Sequence, residues 1–194
     1  MRLVLDILQG AGLAGAAGVR PFLPAMVSGG MAAANAGVDY DHTKFAFLES
    51  PVFIVIAAVA GAATIALERR GTDVESGTLG AFLGGIALGL GGLMCAGSID
   101  DRHKVWWYGL LLGVACAALG QAAARDIFSR VRGRLDAEAR SALPIYAEAA
   151  AVLAAFGAII FPPLAIVVLG FLAWLMVGGR RRSEQKYAGL RILR

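Results

Sequence analysis

Residues 11–30 read AGLAGAAGVRPFLPAMVSGG, and this stretch decides how the first part of the chain can fold. Its small apolar residues suit a membrane span, but Arg20 places a permanent cation in the middle of them. Pro21 follows at once, and Pro24 comes three residues after it. Proline has no N–H and its ring clashes with the carbonyl four residues back. The stretch therefore predicts a helix that breaks at Arg20 and restarts at Pro21.

The composition of the whole chain is typical of a membrane protein. Its 194 residues are 58% hydrophobic and 16% charged, against about 45–50% and about 25% in a soluble domain. The apolar residues are concentrated in five blocks, at residues 3–36, 51–67, 78–99, 105–124 and 143–178. We therefore predict an all-α, polytopic integral membrane helix bundle with one domain at residues 1–178 and a basic tail at 179–194.

The five blocks differ in length. The middle three suit one crossing each of a hydrocarbon core about 30 Å thick, so they are three ordinary spans. The first and fifth blocks are too long for one crossing, and each carries prolines near its middle, Pro21 and Pro24 in one and Pro162 and Pro163 in the other. We expect each to form a hairpin or re-entrant pair. For the first block, a single kinked span is an open alternative.

The charges predict how the bundle is oriented. Basic residues cluster in two places, Arg130, Arg132 and Arg134 in one loop and Arg180, Arg181 and Arg182 in the tail. In a soluble protein such clusters suggest nucleic acid. Beside apolar spans they indicate a cytoplasmic face against anionic lipid. We expect a multi-pass plasma (inner) membrane protein with a cytoplasmic C-terminus, no nucleic-acid partner, and a reversal of the fifth block near Pro162.

Two local patterns concern packing and the basic loop. Gly85 and Gly89 continue a small-residue stripe in the third block, which lets helix backbones touch. We favour contact within one chain, with a homo-oligomer interface or a backbone-lined pore as alternatives.

Residues 125–140 suit a short amphipathic helix on the inner leaflet or, about equally, a solvated basic loop.

Arg20 is the strongest candidate for a functional residue. An arginine at the centre of a span costs about 2.5–3.5 kcal/mol on insertion scales, so it should face protein or water. At the start of a half-helix it could form an anion site near the bilayer midplane, or it could be a structural arginine paired with a buried carboxylate. Glu148 is the first candidate partner and Glu68 the second, while Gln9 and Gln121 are further polar groups within spans.

Motifs of the common enzyme classes are missing. The sequence has no G-x-S-x-G, no H-E-x-x-H, no P-loop and no strand-to-helix G-x-G-x-x-G. Cys95 and Cys116 lie in apolar runs, and the two histidines lie in short loops, so no metal cluster is predicted. We therefore expect neither enzyme activity nor a cofactor.

Several of these segments together resemble a known family. They are GVRPFLP at 18–24, the glutamate at the end of the second block, WWYGLLLG at 106–113 and KYAGLRILR at 186–194. Over nearly its whole length the chain resembles an uncharacterised bacterial family of small multi-span membrane proteins, a domain of unknown function. In that family an Asp-Lys pair often follows the glutamate, where this chain has Arg69 and Arg70. The resemblance implies an integral membrane protein and no particular activity.

Two functions fit the sequence. The first is a transporter or channel for a small solute or ion, with its site at the broken helix around Arg20. The second is a non-transporting membrane protein that binds lipid or a partner protein, with Arg20 in a structural salt bridge. A polar cavity that reaches Arg20 would favour the first, and a dry bundle with a salt-bridged Arg20 would favour the second.

Overall fold

The structure, a computed structural model, describes residues 2–72, 74, 77–103, 105–132 and 137–190, and their side chains except those of residues 102, 132, 137–141 and 179–190. Within these residues the chain is all helical and has no strand, which confirms the predicted fold class. The helices are α1 Arg2–Val19, α2 Phe22–Ala33, α3 Pro51–Arg69, α4 Gly77–His103, α5 Trp106–Arg132, α6 Ala137–Ile160 and α7 Leu164–Leu190, with a short 3-10 helix, Ala46–Glu49, before α3.

Five helices of the described part are long and apolar enough to cross a membrane. They are α1, α3, residues 77–101 of α4, residues 106–131 of α5 and residues 142–160 of α6. Helix α2 and residues 164–178 of α7 are shorter apolar helices. The chain is thus a multi-pass membrane protein by length and composition, and the three predicted ordinary spans correspond to α3, α4 and α5.

The first apolar block breaks where the prolines predict. Helix α1 ends at Val19, and Pro21, with φ −72° and ψ −40°, directly precedes the first residue of α2. The chain then reverses, because Gln9 Nε2 donates a hydrogen bond of 2.6 Å to the carbonyl oxygen of Gly37, which follows α2. Helices α1 and α2 therefore form a hairpin, and the alternative of one kinked span is wrong.

The fifth block also reverses at its prolines, through a turn at Phe161–Pro163 between α6 and α7. Beyond this turn α7 returns toward the C-terminal part of α5, where Arg130 Nη2 donates a 3.4 Å hydrogen bond to the Leu175 carbonyl oxygen. We call the end of the bundle with Arg20, Arg69, Arg125 and Arg130 the arginine end. The opposite end, with residues 34–50 and the turn at Phe161–Pro163, is the loop end.

The basic segment after residue 125 differs from its prediction. Helix α5 continues without a break to Arg132, so the described part of this segment is neither a separate amphipathic helix nor a loop. Phe128 is buried against Ala124 and Ala147, which anchors this last part of α5 to α6. Arg134 and Leu135 lie outside the described residues.

Helix α1 is the centre of the bundle. Eleven of its 18 residues are buried, and its glycines let α4 and α5 approach closely. A Cβ atom on Gly18 would overlap the carbonyl oxygen of Ala117 on α5, and one on Gly10 would lie 2.9 Å from Cys95 Cα on α4. Helix α3 is peripheral by comparison, because its buried residues are only Ala57 and Gly61.

Tyr40 fixes the loop end. Its side chain is fully buried, and its hydroxyl lies 2.5 Å from Ser28 Oγ on α2. A Cβ atom on Gly97 of α4 would lie 2.6 Å from the tyrosine ring, so the absence of a side chain there makes room for it. Burial raises the pKa of Tyr40 to about 12, so the hydroxyl stays neutral and available as a hydrogen-bond donor.

The expected packing of Gly85 and Gly89 within one chain is wrong. Both residues are exposed, and no described atom lies within 4 Å of a Cβ atom placed on either of them. Packing on this helix instead uses Gly84, Gly91 and Gly92, which lie on the side of α4 that faces α1 and α5. A contact of Gly85 and Gly89 with a second copy of the chain stays a prediction.

We expect Gly18→Ala to destabilise the bundle by about 1–3 kcal/mol, because the new methyl group meets backbone atoms of Ala117 that cannot rotate away. Gly89→Ala is the matched control, since its methyl group meets open space and alanine is the better helix former. Thermal unfolding of the detergent-purified variants measures both. Equal melting temperatures for the two variants would contradict the close approach of α1 and α5.

Candidate functional site

Arg20 lies at the turn of the first hairpin, and its side chain is only 7% exposed. Its backbone N–H still donates to the Ala16 carbonyl oxygen at 3.1 Å, so it closes the last turn of α1. The site lies at the arginine end of the bundle, whereas the sequence predicted a site near the bilayer midplane. Its partner Glu68 is the next-to-last residue of α3, about 26 Å along the helix from Pro51 at 1.5 Å per residue.

The structure brings both predicted carboxylates to Arg20. Glu68 is the nearer of the two, although Glu148 is the first candidate from the sequence. Arg20 Nη1 donates a 2.7 Å hydrogen bond to Glu68 Oε1, and Arg20 Nε lies 3.8 Å from Glu148 Oε1. The side chains of Glu68 and Glu148 are 4% and 9% exposed. The ring of Phe128 lies over the same guanidinium, with 5.4 Å from Cζ to the ring centroid. Glu68 is therefore a buried ion-pair partner of Arg20.

The cluster of Arg20, Glu68 and Glu148 has more acid than base. With all three groups charged, one cation and two carboxylates give +1 − 2 = −1. Glu68 Oε2 and Glu148 Oε2 are both buried, and neither has a hydrogen-bond partner among the described residues. Buried charge without compensation is costly, so the two oxygens can accept a proton, a water molecule or a small cation.

A cavity of about 60 Å³ adjoins the cluster. Since a cavity of about 10–15 Å³ in this measure holds one water, this volume suits a few waters or one small ion. The polar part of its wall consists of Arg20, Glu148, Thr64, Gln121 and Arg125. These residues come from the first hairpin turn and from α3, α5 and α6, so the cavity lies where several elements meet.

Small residues on α4 make room for the polar side chains of α5. A Cβ atom on Gly84 would overlap Gln121 Nε2 and lie 2.9 Å from Arg125 Nη2. Arg125 Nη2 donates a 3.2 Å hydrogen bond to the Gly80 carbonyl oxygen. Sequence reasoning found Gln121 but missed Arg125 and Phe128, although positions 121, 125 and 128 have the i, i+4, i+7 spacing of one helix face. From the sequence, Arg125 is placed in the basic segment after the fourth block, so it is not considered on the same helix face as Gln121.

The other predicted site residues lie elsewhere. Gln9 is at the loop end, as are Pro162 and Pro163, and Pro24 is fully buried in α2. Arg130 pairs with Asp126 at 2.6 Å near the arginine end. The side chains of Arg132, Arg180, Arg181 and Arg182, and the whole of Arg134, lie outside the described part.

A second polar cleft, of about 400 Å³, lies at the loop end. Its wall includes Asp6, Gln9, Asp39 and Asp101, and Asp6 Oδ2 lies 3.3 Å from His103 Nε2. Between the two polar regions α1 packs against α4 through fully buried residues such as Leu13 and Met94. The bundle thus has a polar cleft toward each end and an apolar layer between them.

Comparison with known proteins places the chain in a family. A family model described as Domain of unknown function (DUF4126) matches residues 7–182, and the chain belongs to this family. This agrees with the resemblance found in the sequence, although the match ends before KYAGLRILR at 186–194. No curated protein and no solved structure matches the chain.

A double-mutant cycle should measure the coupling of Arg20 and Glu68. Arg20→Gln leaves two buried carboxylates without their cation, and we expect a loss of about 3–5 kcal/mol in the free energy of unfolding. Adding Glu68→Gln should restore part of it, with a coupling energy of about 1–3 kcal/mol. Chemical or thermal unfolding in detergent measures these values.

The control cycle uses the partly exposed pair Arg130 and Asp126, for which we expect a coupling energy of about 0.2–1 kcal/mol. Equal coupling energies for the two pairs would show that burial of the Arg20 cluster adds nothing.

Proposed function

We propose that this member of the family is a small membrane transporter or channel for a small ion, with the Arg20, Glu68 and Glu148 cluster as its ion site. The observation that carries the proposal is the cavity of about 60 Å³ beside this buried and incompletely neutralised cluster. A purely structural salt bridge has no need of a second carboxylate or of an adjoining polar space.

The charges favour a proton or a small monovalent cation as the transported ion. An anion would approach a guanidinium that already has two carboxylates beside it. A cation or proton in the cavity would meet the carboxylate of Glu148, which lines the wall and whose Oε2 atom has no hydrogen-bond partner among the described residues. Arg125, an exposed residue on the cavity wall, opposes cation binding, and such weakening suits a site that must also release its ion.

The apolar layer between the two polar clefts favours a transporter over a permanently open channel. A transporter needs a wall that moves, and α3 suits this role because only Ala57 and Gly61 are buried on it. Thr64 of α3 lines the cavity, and Glu68 closes onto Arg20. We propose that breaking the Arg20–Glu68 bond lets the end of α3 move away and widens the cavity on the side of Thr64.

The second candidate is a non-transporting membrane protein in which Arg20 only holds the helices together. The short 2.7 Å bond between Arg20 and Glu68 supports this alternative. Both functions predict that Arg20 is needed for stability, so only a measurement of ion movement separates them.

The ion-flux test compares variants in liposomes that contain a pH-sensitive dye and are held at a set membrane potential. We expect Glu148→Gln to keep the fold and to lower proton or cation flux about tenfold, equivalent to about 1.4 kcal/mol, because it removes one of the two acidic groups. Arg20→Lys should also lower flux, since lysine keeps the charge but loses the planar fork.

The matched control is Arg69→Gln, which removes an exposed charge at the same end of the bundle outside the cavity wall. It should leave flux unchanged. Flux no greater than in protein-free liposomes for the unmodified protein, across protons and monovalent cations, would favour the structural alternative.

We also propose that the arginine end faces the cytoplasm of a bacterial inner membrane. Arg69, Arg70, Arg125 and Arg130 lie at this end, whereas the loop end has Asp39, Asp41 and Asp101 against the described basic residues Arg2 and Lys44. Arginine-rich ends are retained on the inner side during insertion. The C-terminal part of α7 is cytoplasmic in this orientation.

Cysteine labelling tests this orientation. In a background without Cys95 and Cys116, we expect Ser129→Cys to react from the cytoplasmic side of oriented vesicles and Asp41→Cys from the opposite side. Both positions are exposed, so the side of the membrane on which each lies, and not burial in the protein, decides whether it is labelled. The reverse pattern would invert the proposed orientation, and labelling of both from one side would contradict the bundle.

A further inference from the structure

Helices α6 and α7 diverge from their shared turn and leave a groove between them. Near the turn they are close, because a Cβ atom on Gly157 would lie 2.5 Å from Leu164 Cδ2. Ala158 and Ala165 also both meet α1 at Gly12. Farther from the turn the two helices line opposite sides of a groove of about 560 Å³. The groove therefore narrows toward the loop end and widens toward the arginine end.

The groove is apolar along its length. Tyr146 and Leu153 on α6 and Phe171 and Leu175 on α7 line its walls, and α1 and α5 form its floor. Tyr146 and Leu153 are 71% and 70% exposed. In a membrane such side chains meet lipid tails, so a tapering apolar groove between two spans suits a single acyl chain better than the broad side of another helix.

Arg130 lies at the wide end of this groove. Its Nη2 atom donates to the carbonyl oxygen of Leu175, a groove residue, at 3.4 Å and to Asp126 Oδ2 at 2.6 Å. Its Nε atom donates to the Asp126 carbonyl oxygen at 2.9 Å. Its Nη1 atom makes no hydrogen bond within the described residues, and the side chain is 37% exposed. Because Nε and Nη2 already donate hydrogen bonds, the Nη1 group is the part of the guanidinium that is available to a phosphate oxygen, as a charged donor.

We propose that an anionic phospholipid binds here, with one acyl chain in the groove between α6 and α7 and its phosphate at Nη1 of Arg130. The groove supplies affinity for the chain, and Arg130 supplies the preference for negative charge. Asp126 opposes that preference because its carboxylate lies beside the same guanidinium. The proposal does not depend on ion transport, since neither Arg130 nor Asp126 lines the Arg20 cavity.

The experiment counts the lipids that the protein retains. The full chain is reconstituted in bilayers with equal amounts of phosphatidylglycerol and phosphatidylcholine, extracted in mild detergent, and examined by native mass spectrometry. We expect at least one retained lipid, with phosphatidylglycerol preferred about fivefold, the effect of one basic residue near a membrane surface.

Two pairs of variants separate the parts of the site. Ala150→Phe fills the groove from an exposed position and should abolish retention of both lipids, whereas the control Ala63→Phe on an exposed face of α3 should not. Arg130→Gln should remove the fivefold preference, whereas Arg69→Gln should keep it. Asp126→Asn should increase the preference for phosphatidylglycerol. This variant tests the same site by an effect in the opposite direction if Arg130→Gln does not fold.

Several results would overturn the proposal. Retention unchanged by Ala150→Phe would show that the groove does not hold the chain. Equal retention of the two lipids by the unmodified protein, or a reduced preference in Asp126→Asn, would remove Arg130 as the phosphate site. A dimer that Ala150→Phe dissociates, without bound lipid, would show that a second copy occupies the groove.

Discussion

The burial of one guanidinium at the turn of a hairpin organises the arginine end of this bundle. Because the α1–α2 turn brings Arg20 into the protein, its charge has to be compensated there. Glu68 reaches it from α3 and Glu148 from α6, so two helices far apart in sequence meet at the same point. For α3, which has only two buried residues, this ion pair adds to its packing against α2 at Gly61.

Small residues determine where polar side chains can lie. Helix α1 contacts α4 and α5 through glycine and alanine, so backbones approach to distances that a larger side chain would prevent. On α4 the missing side chain of Gly84 leaves space that Gln121 and Arg125 occupy. The same property thus explains the tight apolar centre around α1 and the polar cavity beside Arg20.

Much of the fold could be predicted from the sequence because its signals are local. Proline breaks at Pro21 and Pro162 and the lengths of the apolar blocks depend on neighbouring residues only. The two acidic partners of Arg20 could be named for two reasons. A buried arginine needs a carboxylate partner, and the sequence has few carboxylates near its apolar blocks. The depth of the site could not be predicted, because the sequence left a hairpin and a single kinked span both open for the first block, and the Gln9–Gly37 contact decides between them. The choice between Gly84 and Gly85 for packing also depends on how α4 is rotated, which a small-residue stripe does not specify.

Phe128 connects the polar cluster with the apolar groove. Its ring lies over the Arg20 guanidinium on the cavity side, and it also lines the groove between α6 and α7. Val19 and Ala124 are the other residues that the two spaces share. A cation–π contact of this kind is worth about 0.5–2 kcal/mol. Since the same ring lines the groove and contacts the guanidinium, the packing of the groove and the stabilisation of Arg20 depend on one side chain.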